Sequence, residues 1–379
     1  MGISRRSMLY GIGAGIISGA VLPSLSESDF LATSQPASNK QPGRPLRLDR
    51  NENAYGAPQG AILAMRESLT YANRYPDSSE ALQEKLARLH RVKPDQIVLG
   101  CGSSEILRIA GEAFLGPGKK LIMATPSYPL LAYLGQLRGA EVVALPLTPE
   151  RSHDLKAMLA RSDTATGLVY ICNPNNPTGT LTTRRDLDEF LAKLPPKIPV
   201  LIDEAYYHYV VATPSYVSFI DSPASNGRVI VARTFSKIYA LAGLRIGYAV
   251  APSDLASRLS QLRLQFGENS VAIPAAIAAL DDTEHVRRCR QLNSDAQQTF
   301  YNECDKRLLG VSDSRTNFSL LQLDHPIDEV IAHFRRNNII VGPRFPGIDK
   351  FLRVSMGRPE EMKEFWRVWD LLPHEMMMH

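Results

Sequence analysis

The sequence predicts an α/β fold, a large and mostly parallel sheet flanked by helices, joined to a smaller α+β domain at the C-terminal end. Short apolar runs bounded by turn residues recur at 97–101, 121–124, 141–145, 168–172, 200–203, 229–233 and 246–251, each of the length and character of a strand buried on both faces. Segments of helical period lie between several of these runs, and strand alternating with helix is the pattern of a parallel sheet covered on both sides. Beyond Pro274 the rhythm changes to one long polar helix and then short strands and helices in looser order.

In chain order, the first run leads into a helix over 105–115, the next into one over 130–138, and the fourth is followed by one over 184–194 that Thr183 and Asp186 can cap as a pair. The C-terminal part predicts a helix over 284–308, strands at 318–323, 339–341 and 351–355, and helices at 328–337 and 359–371. The expected division is a leader and linker over 1–43, an arm over 44–60, a large domain over 61–273 and a small domain over 274–379. No internal repeat is present.

A chain of 379 residues is long enough for two or three lobes, and 44% hydrophobic with 22% charged residues is ordinary globular composition. Disordered, collagenous and multi-span membrane proteins are thereby excluded. A net charge of +4 without a run of like charges gives no reason to expect nucleic acid as a partner. Cys101, Cys172, Cys289 and Cys304 have no CxxC spacing and read as free thiols, while His153, His208, His285 and His333 lack ligand spacing, so no metal is expected.

Residues 1–43 read as a targeting segment. Ser4-Arg5-Arg6-Ser7-Met8-Leu9 precedes an apolar stretch at 12–22, about half the ~20 residues that span a bilayer, and a Ser/Pro/Gln/Asn-rich linker follows. This resembles a twin-arginine export signal, with a periplasmic or exported destination and no stable membrane span. Ser24-Leu25-Ser26 substitutes poorly for a cleavage site. Gly11, Gly13 and Gly15 sit inside the apolar stretch rather than after a strand and bind no dinucleotide; GxxxxGK[ST] is also absent.

Ligands of open α/β sheets bind beyond the carboxyl ends of the strands, where this chain concentrates its unusual residues. Gly100-Cys101-Gly102-Ser103-Ser104-Glu105 turns into a helix whose first N–H groups and dipole favour an anion. Asn173-Pro174-Asn175-Asn176-Pro177-Thr178-Gly179 forms a stiff loop that offers amides. Asp203-Glu204-Ala205-Tyr206 delivers a carboxylate out of an apolar run, which needs a cationic or hydrogen-bonding partner. Arg233-Thr234-Phe235-Ser236-Lys237, with Arg245 eight residues on, sets an amine among hydroxyls and a cation, the surroundings of a nucleophilic lysine.

Together with Asn51-Glu52-Asn53-Ala54-Tyr55-Gly56, Arg74-Tyr75-Pro76-Asp77, Pro126-Ser127-Tyr128, Ala242-Gly243-Leu244-Arg245 and Leu352-Arg353-Val354-Ser355, these motifs make the chain resemble the fold type I aminotransferases that use pyridoxal 5'-phosphate. The likeness is greatest to the histidinol-phosphate aminotransferase group and covers residues 47–372. It implies that Lys237 carries the cofactor as a Schiff base and, once displaced, shuttles the substrate proton. It further implies that Asp203 pairs with the pyridinium nitrogen, that Asn176 and Tyr206 hydrogen-bond the ring's phenolic oxygen, and that Tyr128 stacks on the ring. Ser103, Ser104, Thr234, Ser236 and Arg245 would hold the phosphate, joined by Tyr75 from the neighbouring subunit of a homodimer with shared active sites. Arg353 would clamp the substrate carboxylate, and Asn53 and Arg344 would touch substrate.

One departure bears on substrate. Where members acting on imidazole-acetol phosphate carry an arginine, the segment reads Ile339-Ile340-Val341-Gly342-Pro343-Arg344, so the arginine is displaced by two residues. Two readings of Arg344 stay open, a turn toward a substrate anion or a solvated loop. The expected reaction moves an amino group between an L-amino acid, or a histidinol-phosphate-like amine, and a 2-oxo acid; with the export signal, the departure favours another donor than histidinol phosphate, of aromatic, basic or secondary-metabolite type. The rival readings are a lyase or racemase of the same fold and a non-catalytic exported binding protein.

Overall fold

The computed structural model describes residues 44–76, 79–210, 215–221, 227–324 and 326–372. The expected export signal at 1–43 and Asp77 of the Arg-Tyr-Pro-Asp motif lie outside the described residues. Among the described residues no helix is long and apolar enough to cross a membrane.

All seven expected runs form strands of one sheet: β2 (Ile97–Gly100), β3 (Lys120–Thr125), β4 (Glu141–Pro146), β5 (Thr166–Cys172), β6 (Val200–Asp203), β7 (Val229–Thr234) and β8 (Gly247–Val250). Their order is β2-β8-β7-β6-β5-β3-β4, parallel throughout except for β8, which runs against both its neighbours. The central strands are apolar because both faces are covered. Val169, Ile171, Val200 and Ile202 enter one hydrophobic core, while Leu168, Tyr170, Cys172 and Leu201 enter the other. The pleat therefore dictates where Asp203 points. Two residues beyond Leu201 and in register with Cys172, it lies on the face of Tyr170 and Cys172.

Eleven helices are described. α1 (Gln59–Ser68) and α2 (Glu80–His90) lead into the sheet, α3 (Ser103–Phe114) follows β2, and α4 (Leu130–Leu137), α5 (Leu155–Arg161) and α6 (Arg184–Lys193) connect the parallel strands. The expected cap of α6 is present, with Thr183 accepting from the Asp186 N–H. α7 (Ser253–Ser260) and α8 (Ala272–Asp281) come after β8, with α8 packed into the sheet's own core. The remaining three are α9 (Thr283–Lys306), α10 (Ile327–Arg336) and α11 (Pro359–Trp369).

A third core lies under the antiparallel pair β9 (Phe318–Gln322) and β11 (Phe351–Ser355), where Phe334 stacks on Phe365 with ring centroids 4.8 Å apart. It also takes in Leu48 from a strand the sequence did not reveal, β1 (Leu46–Leu48), which pairs in parallel with β10 (Ile339–Val341). The arm is thus fastened to the C-terminal core, and from there residues 49–52 run into the cavity described next.

Candidate active site

A cavity of about 520 Å³ opens beyond the carboxyl ends of β5, β6 and β7. Of the expected site residues it brings together Ser103, Ser104, Tyr128, Asn176, Asp203, Tyr206, Thr234, Ser236, Lys237, Arg245 and Arg353. The topology explains the convergence, since parallel neighbours end on the same edge and the loops that follow must share the space above it.

At the floor, Asp203 is buried and accepts from the Tyr170 hydroxyl at 3.0 Å and the Ala205 N–H at 3.1 Å. Burial pushes its carboxyl up to about 6 against the opposing pull of those two donors. No cation lies within salt-bridge distance of it among the described residues, so a cationic ring nitrogen would complete its surroundings. The neighbouring Glu204 is spoken for: Arg233 approaches it at 2.8 Å, and the Tyr216 and Ser218 hydroxyls donate to it at 2.7 and 2.8 Å.

Lys237 reaches into the cavity from the loop after β7 and donates to the main-chain carbonyls of Arg50 and Asn51, both at 3.0 Å. Burial first, and then the Arg353 charge, bring its amine down to about 8. An amine so lowered is partly deprotonated near neutrality and available as a nucleophile or base.

At one end the first turn of α3 presents Ser103 and Ser104. Gly102 caps this turn with no side-chain acceptor and with φ +77°, and a Cβ there would come 2.3 Å from the Arg245 guanidinium. The missing side chain lets that guanidinium close over the helix end. Arg245 donates to Ser236 Oγ at 3.3 Å and to the Ala242 carbonyl at 3.0 Å, and Thr234 donates to Ser236 Oγ at 2.9 Å. Hydroxyls, helix N–H groups and a guanidinium converge without a carboxylate among the described residues, a donor set suited to a phosphate. Tyr128 lines the same cavity, its hydroxyl hydrogen-bonded to Ser104 and pushed up mainly by burial.

At the other end stands Arg353, on β11 and 7% exposed. It donates to Asn176 Oδ1 at 2.6 Å and to the Asp49 carbonyl, and its Nε is buried without a partner. Among the described residues no carboxylate pairs with it, and desolvation lowers its affinity for its proton. A buried guanidinium with an unused donor is a receptor for an anion entering the cavity.

Three expected site residues lie elsewhere. Tyr75 is 73% exposed and stacks on Phe266 at 4.5 Å. Asn53 uses its side chain on the Ile238 carbonyl and the Tyr55 N–H. Arg344 pairs with Asp349 at 2.6 Å and Asp328 at 3.2 Å, in line with the solvated-loop reading. Conversely, sequence reasoning gave no part to Tyr170, which looks like any core residue of its run. Asn51 stood inside the Asn-Glu-Asn motif that could have flagged it, but its partners are distant in sequence.

A barrel-free α/β sheet with a buried lysine, a buried carboxylate, an anion cradle and a second anion receptor in one cavity defines a class of group-transfer enzyme rather than a binding module. Residues 44–368 match the model of the family aminotransferase class I and II, and the chain belongs to that family. It is 38% identical to the histidinol-phosphate aminotransferase of Brevibacillus brevis over 85% of this chain and 92% of that protein. Among solved structures it is similar to a histidinol-phosphate aminotransferase of Sinorhizobium meliloti in complex with pyridoxal-5'-phosphate, with TM-score 0.81, 26% identity and coverage of 88% and 91% of the two chains. It is also similar to a putative histidinol-phosphate aminotransferase of Erwinia carotovora, with TM-score 0.80, 29% identity and coverage of 86% and 94%.

Proposed function

We propose that the chain is a pyridoxal-phosphate-dependent aminotransferase that takes an L-amino acid and a 2-oxo acid, with Lys237 as its amine and Arg353 as its carboxylate receptor. One observation carries the reading: a lysine brought down to about 8 and a buried arginine with a free donor face the same cavity, with a phosphate cradle at its other end. Bound pyridoxal phosphate supplies an aldehyde and an electron-withdrawing ring, so that a proton can leave the amino-acid Cα. Ser103, Ser104, Thr234, Ser236 and Arg245 would hold its phosphate, Asp203 its ring nitrogen, Tyr206 and Asn176 its phenolic oxygen, and Tyr128 its face. Lys237 provides the amine that binds the aldehyde and, when free, moves the proton from Cα. Arg353 fixes the carboxylate and with it the direction of the Cα–H bond.

An amino-acid carboxylate fits this receptor better than a phosphate would. A Cβ on Gly342 would lie 2.6 Å from the Arg353 carbonyl, so no side chain fits where the second arginine of the imidazole-acetol phosphate enzymes is expected, and Arg344 is held by two acids. The names of the relatives support histidinol phosphate as the second reading. The test is the visible spectrum of the loaded protein titrated with L-amino acids and with histidinol phosphate. Bleaching by an amino acid, lost at Arg353→Lys through a KM raised by about tenfold or more, is the expected outcome. Bleaching by histidinol phosphate alone would overturn the substrate assignment. A lyase or racemase would turn over without a 2-oxo acid.

The homodimer belongs to the same proposal, supported by Tyr75 and Phe266 exposed as a stacked pair, with Leu69, Tyr71 and Leu264 also exposed nearby in the same two segments. So does export, supported by the Arg5-Arg6 motif and its apolar stretch alone. Cell fractionation of an Arg6→Lys variant that remained as exported as the parent would count against it.

A further inference from the structure

We propose that Asn51 is a positioning residue for Tyr206, fixing the phenol so that its proton can go only to a ligand in the cavity. The inference rests on the pyridoxal phosphate reading above and concerns a residue to which that reading gives no role. Asn51 is 2% exposed and adopts φ 54°, a left-handed backbone that asparagine tolerates better than most side chains.

Hydrogen-bond bookkeeping carries the argument. Ser355 Oγ accepts from the Asn51 N–H at 2.9 Å and donates its own proton to Asn51 Oδ1 at 3.0 Å, so that its hydrogen is used as well as a lone pair. In this arrangement Oδ1 faces Ser355, and Nδ2, which can only donate, faces the Tyr206 oxygen at 2.9 Å. Asn176 is oriented more strictly, by a guanidinium. Its Oδ1 is taken by Arg353, which can only donate, so its Nδ2 also faces the Tyr206 oxygen, at 3.5 Å. Both neighbours of the phenol are therefore donors. Among the described residues no acceptor lies within reach of the Tyr206 proton, which leaves the cavity as its only outlet.

The same asparagine touches the amine, because its main-chain carbonyl receives Lys237 at 3.0 Å. Residue 51 therefore sets the amine through its backbone and the phenol through its side chain, and the two functions can be separated. Asn51→Gly keeps the left-handed backbone and the carbonyl but removes the amide. The charged and titratable groups facing the pair are Arg353, Asp203 and Cys172 at Tyr206, and Arg353, Glu52, Asp203 and Arg245 at Lys237; the variant alters none of them.

The experiment follows the pH midpoint of the visible absorption of the protein loaded with pyridoxal phosphate. A Tyr206 proton donated to the ring's phenolic oxygen stabilises that oxygen's charged form and lowers the midpoint. Asn51→Gly should raise it by about half to one pH unit, the range of one neutral hydrogen bond. In a Tyr206→Phe background the same substitution should leave the midpoint unmoved. An unchanged midpoint in Asn51→Gly, or an equal shift with and without the phenol, would overturn the proposal. If Asn51→Gly does not fold, Ser355→Ala frees the amide to flip while leaving residue 51 in place, and a rise in the midpoint is again expected; no rise overturns it. A parent protein that takes up no pyridoxal phosphate refutes the cofactor reading itself, and this inference with it.

Discussion

Lys237 and Asp203 are moved in opposite directions by the same cause, the loss of water around a charge, which lowers the amine to about 8 and raises the carboxyl to about 6. Between these values the amine still holds most of its protons and the carboxylate has lost most of its own. Raising the pH through 8 therefore frees the nucleophile. The rate of capture of added pyridoxal phosphate should climb up to about pH 8 and then level off, as stopped-flow absorbance would show. A climb continuing toward the ordinary lysine value would mean that the amine is not buried as described. At this scale the sequence was readable where chemistry clusters in a short motif, as with Lys237 or Asp203. It was not readable where a role depends on a partner far along the chain. Asn51 meets Tyr206 across 155 residues, and Tyr170 reaches Asp203 across 33 from within an otherwise apolar strand.

The strands of the sheet were legible because burial on both faces requires unbroken apolar runs, and seven of them were found within a residue or two of their ends. The reversed direction of β8 was not, since an apolar run carries no arrow. β1 escaped because three residues with an arginine in the middle show no pattern. α8 has apolar residues nearly all round and so lacks the period that marks a surface helix. The element that matters most to the site is α3, whose first turn is shaped by the absence of a side chain at Gly102. Gly102→Ala would place a methyl group on the Arg245 guanidinium and strain a positive φ. A cost of about 1–2 kcal/mol at that turn should weaken cofactor binding by about tenfold or more in an absorbance titration, with only a modest loss of melting temperature. Unchanged affinity would remove the α3 end from the phosphate site.

Over the whole molecule, two cores sandwich the sheet and a third lies under β9 and β11, and the cavity draws on the sheet, on β11 and on the arm. The exposed pair of Tyr75 and Phe266 is the feature that a lone chain leaves unexplained. Phe266→Asp should convert a dimer into a monomer in light scattering and reduce cofactor retention, whereas a parent that already runs as a monomer would refute the shared-site proposal. The pairing of β1 with β10 has a further meaning for a chain made from one end to the other. Leu46 leaves the ribosome among the first of the described residues, and Ile339, its partner, among the last. The arm cannot be fastened until β10 has been made, and the two carbonyls that receive Lys237 lie just beyond that fastening. A polypeptide that stops short of β10 can build the whole of its seven-stranded sheet, yet its amine has no fixed berth, so assembly of the reactive centre waits on a strand nearly three hundred residues after the arm it holds.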